Sequence, residues 1–365
     1  MARQPLGNTL PDFPWNSLAD AKKKAQSHPD GIVDLSVGNP VDSVAPGVQL
    51  ALASNAEAPG YPTTAGTAAL QDAIRGNVHR RTNVEPEAIG VLPVIGLKEA
   101  IAWLPTLLGM RGERVIIPSV AYPTYEVGAL IAGATPERND DPAAFGDAAM
   151  AFVNSPSNPT GNVLSVEELR DVVAWAREND AIVASDECYL ALAWDDDKKP
   201  VSILDPRVND GDTTGLIAMH SLSKSHNLAS YRTGFFAGDP KLIAELLELR
   251  KHAGLIVPGP IQAAMVEALN DDDSESLQVR RYAARRAKLL RALTEAGFRI
   301  EHSEASMYLW ATRDEDCRTT VDWLAERGIL VAPGDFYGPT GQKFVRIGLN
   351  GTDERIGAAV ARLAQ

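Results

Sequence analysis

Ser221-Leu-Ser-Lys224-Ser-His-Asn-Leu-Ala-Ser-Tyr-Arg232 follows directly on Thr214-Gly-Leu-Ile-Ala-Met-His220, an apolar run with the character of a buried strand. A lysine therefore leaves a strand end and enters a polar turn rich in serine and asparagine. Among apolar walls and cationic neighbours, such a lysine can lose its proton near neutral pH and act as a nucleophile. An ordinary solvated lysine is the competing reading, and the surrounding chain has to decide between them.

Working outward, Arg114 to Ile117, Ala149 to Val153, Ala181 to Ala184, Gly215 to His220 and Thr233 to Ala237 read as short apolar strands. Between them lie helical periods at Thr67 to His79 and Leu97 to Leu108, and one opened by Ser165 that runs to about Asn179. Glu168, three residues after Ser165, completes a capping-box pattern. Strand and helix in alternation imply an α/β fold with a mostly parallel sheet covered on both faces. After Asp239 the character changes. Pro240 to Ala253, Ile261 to Ala268 and Glu275 to Ala296 read as helices. Short strands follow at Phe298 to Ile300, Met307 to Ala311, Ile329 to Ala332 and Phe344 to Ile347, with helices at Thr319 to Arg327 and Thr352 to Ala364. This α+β patterning predicts a second, smaller lobe. The expected division is an N-terminal arm over 1–45 that also feeds the small domain, a large domain over 46–255 and a small domain over 256–365.

A chain of 365 residues has room for two such lobes, and its net charge of −13 disfavours nucleic acid or an anionic membrane as partner. Cys188 and Cys317 form no C-x-x-C pair, so neither a disulfide framework nor a metal site is expected, and a reduced, cytoplasmic setting fits. No apolar leader and no run of eighteen apolar residues is visible.

Four clusters fall where strands end, the place where open α/β sheets build their sites. Val94-Ile-Gly96-Leu97-Lys98 puts a glycine at a helix start, where free N–H groups favour a phosphate. Asn154-Ser-Pro-Ser-Asn158-Pro-Thr-Gly161 is a double-proline loop, and its asparagine can donate to a phenolic oxygen. Ser185-Asp186-Glu187-Cys188-Tyr189 places a carboxylate in apolar surroundings, where it needs a cation. The lysine turn is the fourth.

This ordered set resembles the fold type I pyridoxal-phosphate (PLP) enzymes, and among them the class I/II aminotransferases. Asp186 lies 28 residues after Asn158, Lys224 lies 38 after Asp186, and Arg232 lies 8 after Lys224, separations typical of that family. The resemblance implies that Lys224 binds the cofactor aldehyde and later shuttles a proton as base and acid. It implies that Asp186 pairs with the pyridine nitrogen, while Asn158 and Tyr189 hydrogen-bond the ring oxygen. Tyr122 matches the aromatic that stacks on the ring. Gly96 and the backbone of Leu97 and Lys98, with Ser221, Ser223 and Arg232, match the phosphate site. Arg346 and Gly38 match the grip on the substrate α-carboxylate. Tyr61 matches a tyrosine that reaches the neighbouring subunit's phosphate, which implies a homodimer with shared active sites.

The chain departs from the family pattern at three places. Ser230 stands where a glycine is usual, Leu97 where a small residue is usual, and Glu304 to Trp310 lacks a glycine pair. The wording outside the motifs is most similar to N-succinyldiaminopimelate aminotransferases, implying glutamate as donor and N-succinyl-2-amino-6-oxopimelate as acceptor. The alternatives are an aspartate, aromatic or LL-diaminopimelate aminotransferase, or a C–S β-lyase on the same fold. A transcription regulator with an aminotransferase-like domain would need a basic DNA-binding module, which the acidic composition disfavours.

Overall fold

The computed structural model describes residues 5–365. Seven strands form the large sheet, in the spatial order Gly90–Ile95, Thr233–Gly238, Leu216–Ser221, Ile182–Asp186, Met150–Asn154, Arg114–Ile117 and Thr135–Arg138. All run in one direction except Thr233–Gly238, which is antiparallel to both neighbours. The central runs are apolar at successive positions because both faces are covered. One face packs on the helices Ala68–Thr82, Val166–Asn179 and Gly259–Leu269. The other packs on Leu97–Leu107, Thr124–Ala132 and Pro240–Ala253.

The expected capping box forms at Ser165. Its hydroxyl accepts from the Glu168 N–H at 3.1 Å, and the Glu168 carboxylate accepts from the Ser165 N–H at 2.8 Å. The strand Gly90–Ile95 is not evident from the sequence because Pro93 interrupts its apolar run. At the sheet edge the missing N–H costs little, since that strand pairs only with Thr233–Gly238.

A second lobe carries the antiparallel sheet Ala332–Pro333, Phe344–Gly348, Tyr308–Thr312 and Arg299–Glu301, in that order. The sequence reading joins the first of these to the preceding strand, whereas the structure splits them and pairs Ile329–Leu330 with Val33–Asp34 near the N-terminus. The long helix Asp272–Glu295 packs on Asp353–Leu363. The helix Gly259–Leu269 packs with Pro46–Ser54 and Ala68–Thr82 in the large lobe's core, although the sequence reading put it in the small domain.

Two seams tie the lobes together around the site. Arg285 of the long helix forks onto both carboxylate oxygens of Asp42 at 2.7 Å each. The proline loop docks on the small lobe, where Ser303 N–H donates to the Thr160 carbonyl at 2.9 Å and Ala305 N–H to the Gly161 carbonyl at 3.1 Å. Gly161 has φ +73°, and a Cβ there would press on the Ala305 carbonyl at 2.6 Å. In the stretch without the glycine pair, Ser306 itself takes φ +75°, at a cost of about 1–3 kcal/mol. Among the described residues, no helix is long and apolar enough to cross a membrane.

Candidate active site

The carboxyl ends of the parallel strands open into one cavity of about 1230 Å³ between the lobes. Nearly all the residues singled out in the sequence line it. The exceptions are Gly96, which supports its wall, and Tyr61, which is fully exposed on this chain (101% of its reference area).

Asp186 ends its strand at the floor of the cavity, 5% exposed. Tyr125 donates its hydroxyl to Asp186 Oδ2 at 2.7 Å, and the Cys188 N–H donates to Oδ1 at 3.2 Å. Burial pushes the carboxyl above its ordinary range, and these hydrogen bonds only partly offset that. Among the described residues, no cationic side chain lies within ion-pair distance of Asp186, so it is suited to a cationic ring N–H. Tyr125 is itself fixed by stacking on Phe152, with centroids 4.9 Å apart, and it meets the Tyr122 ring edge-on at 5.8 Å. Burial pushes the Tyr122 hydroxyl up to about 12, so this ring stays neutral where a heterocycle would stack.

Asn158 is held from behind by Asn154. The Asn158 N–H donates to Asn154 Oδ1 at 2.8 Å, while Asn154 Nδ2 donates to the Asp186 carbonyl at 2.9 Å. One asparagine thus fixes the proline loop to the strand that bears Asp186. Tyr189 lies nearby with its hydroxyl 3.2 Å from that of Tyr308, and burial drives the Tyr189 hydroxyl far above its ordinary value.

At another wall of the cavity, Gly96 has φ +73° and precedes the helix Leu97–Leu107, whose first two residues line the cavity and whose first N–H groups lack intrahelical partners. A Cβ on Gly96 would collide with the Arg232 guanidinium, so glycine is what lets that arginine lie across the helix start. Leu97 turns its side chain into the core, which explains why a large residue is tolerated there. Ser230 is tolerated as well. The left-handed residue of this turn is Arg232 itself, at φ +58°. The Ser221 hydroxyl accepts from the Ser223 N–H at 3.1 Å, which closes the turn.

Lys224 is half-buried and donates its ammonium to the Gly38 carbonyl oxygen. Gly38 is buried under the Tyr308 hydroxyl, which a Cβ at 38 would strike. Arg346 is 2% exposed and donates to Asn158 Oδ1 at 2.9 Å and to the Ser36 carbonyl at 2.5 Å. Its guanidinium carbon lies 4.0 Å from the centroid of the Tyr308 ring. Among the described residues no carboxylate pairs with it, and its Nε has no partner. A buried cation without a counter-charge is costly, and it is what a carboxylate ligand would satisfy.

A family model described as aminotransferase class I and II matches residues 30–363. The chain belongs to that family. It is similar to a probable aminotransferase of Mycobacterium tuberculosis, 58% identical over 99% of this chain and 87% of the relative. It is 52% identical to the 4-dedimethylamino-4-oxo-anhydrotetracycline transaminase OxyQ of Streptomyces rimosus, over 97% of this chain and 99% of the relative. Among solved structures, a probable N-succinyldiaminopimelate aminotransferase of Thermus thermophilus superposes with a TM-score of 0.85 at 26% identity, covering 96% of this chain and 99% of that one. The fold is therefore aspartate aminotransferase-like, and the cofactor of this family is PLP. The cavity fits that group on three independent points: the Asp186 floor with no cationic partner among the described residues, the cradle that only glycine leaves open at 96, and Lys224 in the same lining.

Three members of the site have roles that the motifs do not announce. Tyr125, Asn154 and Tyr308 each act by holding a foreseen residue; Asn154 opens the double-proline loop and Tyr308 lies within Glu304 to Trp310, yet nothing local marks any of the three as a support. A fourth is the N-terminal segment at the cavity mouth, where the Lys98 ammonium lies 5.2 Å from the Phe13 ring centroid.

Proposed function

We propose that this aminotransferase moves an amino group from L-glutamate to N-succinyl-2-amino-6-oxopimelate. One observation carries the reading. In a chain of net charge −13, the cavity is lined by five cationic side chains, Lys22, Lys98, Lys224, Arg232 and Arg346, against two carboxylates, Asp12 and Asp186. A cofactor phosphate and a single α-carboxylate account for Arg232 and Arg346. Lys22 and Lys98 are left at the mouth for the distal carboxylates of a long polyanion.

When bound, PLP supplies the electron sink for a carbanion at the substrate Cα. The chain does the rest. Arg346, aimed by Asn158 and Ser36, holds the α-carboxylate; Lys224 Nζ takes the proton from Cα and returns it; Asp186 keeps the ring nitrogen protonated. Arg346 occupies the Asn158 oxygen, so the Asn158 amide N–H groups are available to the ring oxygen, beside the Tyr189 hydroxyl.

The test is a pair of half-reactions on the holoenzyme. Glutamate is expected to convert the visible absorbance of the cofactor, and the succinylated oxo acid to restore it faster than unsubstituted 2-oxo acids do. A second reading has its own support, since the mouth also presents Phe13 and Trp15 and the chain is 52% identical to a transaminase acting on a polycyclic ketone. Recovery with such a ketone and not with the succinylated acid would replace the first reading. Pyruvate and ammonia release from cystathionine without any oxo acid would indicate a C–S β-lyase.

From the family resemblance we infer that Tyr61 serves the phosphate site of a second copy, a role its full exposure on this chain leaves open. Tyr61→Phe is expected to weaken cofactor retention about tenfold, the worth of one hydrogen bond to a charged group. A stable, fully active monomer in sedimentation would remove the shared-site assignment.

A further inference from the structure

Behind Asp186 and Ser221, on the face of the sheet away from the cofactor cavity, two buried side chains each keep one polar atom without a hydrogen-bond partner. Glu187 follows Asp186 and His220 precedes Ser221, so alternation along the strands turns both from the cavity. Glu187 is 2% exposed and His220 6%. Glu187 Oε1 is satisfied by the Ile203 N–H at 2.9 Å and the Ser185 hydroxyl at 3.0 Å. Glu187 Oε2 and His220 Nε2 have no hydrogen-bond partner, yet they lie 3.5 Å apart. The His220 ring is pinned by stacking on Phe235, with centroids 4.9 Å apart. Beside the pair is a void of about 20 Å³, enough for one water.

We propose that Glu187 and His220 share a single proton, directly or through one water, and that this clasp positions the strand ends bearing Asp186 and Ser221. Two buried titratable groups whose facing atoms, Glu187 Oε2 and His220 Nε2, have no other hydrogen-bond partner leave few charge states open. With no proton the carboxylate is an isolated buried anion, and with two protons the imidazolium is an isolated buried cation; both are costly. One proton makes the pair neutral overall. The register supports a mechanical role, because the Glu187 N–H also donates to the Met219 carbonyl at 2.9 Å, next to His220. Both residues are therefore positioning residues that reach the cofactor only through their neighbours.

Burial pushes Glu187 up to about 7 and, helped by Arg81, pushes His220 down to about 3, so the proton rests on the carboxyl. The charged groups around the pair are Arg81 and Glu275, themselves ion-paired at 2.6 Å, with His226 at 3.9 Å from Glu275 and Asp186 adjacent in the chain. Between pH 4.5 and 6.5, the ordinary values of the two groups, folded and unfolded chains each hold one proton and the pair adds no pH dependence. Below pH 4.5 the unfolded chain takes a second proton first, so stability falls as pH drops towards about 3. Above pH 6.5 the unfolded chain releases its proton first, so stability falls until Glu187 also ionises at about 7.

The test uses the PLP-loaded enzyme. The infrared difference between wild type and Glu187→Gln at pH 6 is expected to show one buried protonated carboxyl, and ¹⁵N NMR to show His220 neutral, assigned by its loss in His220→Gln. An imidazole that titrates freely near its ordinary value, or a pair carrying no proton at pH 6, would overturn the proposal. Glu187→Gln retains a neutral donor and is expected to hold PLP within about twofold of wild type. Glu187→Met fills the volume without a hydrogen bond, and it should raise the PLP dissociation constant about tenfold by stranding His220. Equal affinities in the two variants would mean that Glu187 only fills space. If the methionine protein does not fold, the wild-type spectra still decide.

Discussion

Lys224→Ala protein is expected to bind PLP weakly, to lose amino transfer by about 10⁴-fold or more, and to yield no cofactor adduct on borohydride reduction. The size follows from two roles lost at one atom. In the proposed reaction Lys224 Nζ is both the nucleophile for the cofactor aldehyde and the group that moves the Cα proton, and no neighbour is placed to replace it. The other lysines of the cavity, Lys22 and Lys98, lie at its mouth, and the Lys98 ammonium is already held over the Phe13 ring. Mass spectrometry of the reduced wild-type protein is expected to place the adduct on the peptide containing Lys224. A trapped adduct of equal yield in the variant, mapped to another lysine, would displace Lys224 from its role. Because Lys224 is half-buried with no carboxylate partner among the described residues, its removal should leave the thermal unfolding of the apoprotein within a few degrees of wild type.

The sequence makes the cofactor site legible because that site is built from strand ends. Each of Asn158, Asp186 and Lys224 sits just after, or at the close of, a run whose apolar residues announce a strand. Local pattern and chemistry coincide there. What supports those residues was harder to see, because it arrives from distant parts of the chain. Tyr125 reaches Asp186 across 61 positions and Arg346 reaches Asn158 across 188, and neither pairing leaves a local signal. Pro93 concealed an edge strand by breaking an apolar run, a break that only an edge position excuses. The helix Gly259–Leu269 joined the large lobe because its apolar face matches that core, a preference that order along the chain does not reveal. Ser306 shows the converse. A missing glycine suggested a change of backbone, yet the left-handed conformation persists on a serine held by docking to the proline loop.

The site thus holds two buried, uncompensated charges of opposite sign, Asp186 on the large lobe and Arg346 on the small one. Each would be destabilising in an ordinary core. Neither has an ion-pair partner among the described residues, so each is suited to a ligand of opposite charge, a ring N–H for one and a carboxylate for the other. Arg346 also donates to Asn158 of the opposite lobe, so the side chain suited to a carboxylate bridges the two lobes.

Arg346→Ala is consequently expected to raise KM for every α-amino and α-oxo acid alike, by about 30-fold or more, the low end of what removing one member of a buried charged pair costs. Glutamate and the succinylated acceptor should suffer equally, because the lost contact is to the part they share. An effect confined to one of them would mean that Arg346 reads the distal end of the substrate instead. Arg346→Lys tests geometry at constant charge. A lysine cannot donate to Asn158, to the Ser36 carbonyl and to a carboxylate with the same planar fork, nor lie as well on the Tyr308 ring, so it should rescue only a small part of the loss. Full rescue by lysine would show that charge alone matters there, and that the fork made by Asn158 and Ser36 has no part in recognition.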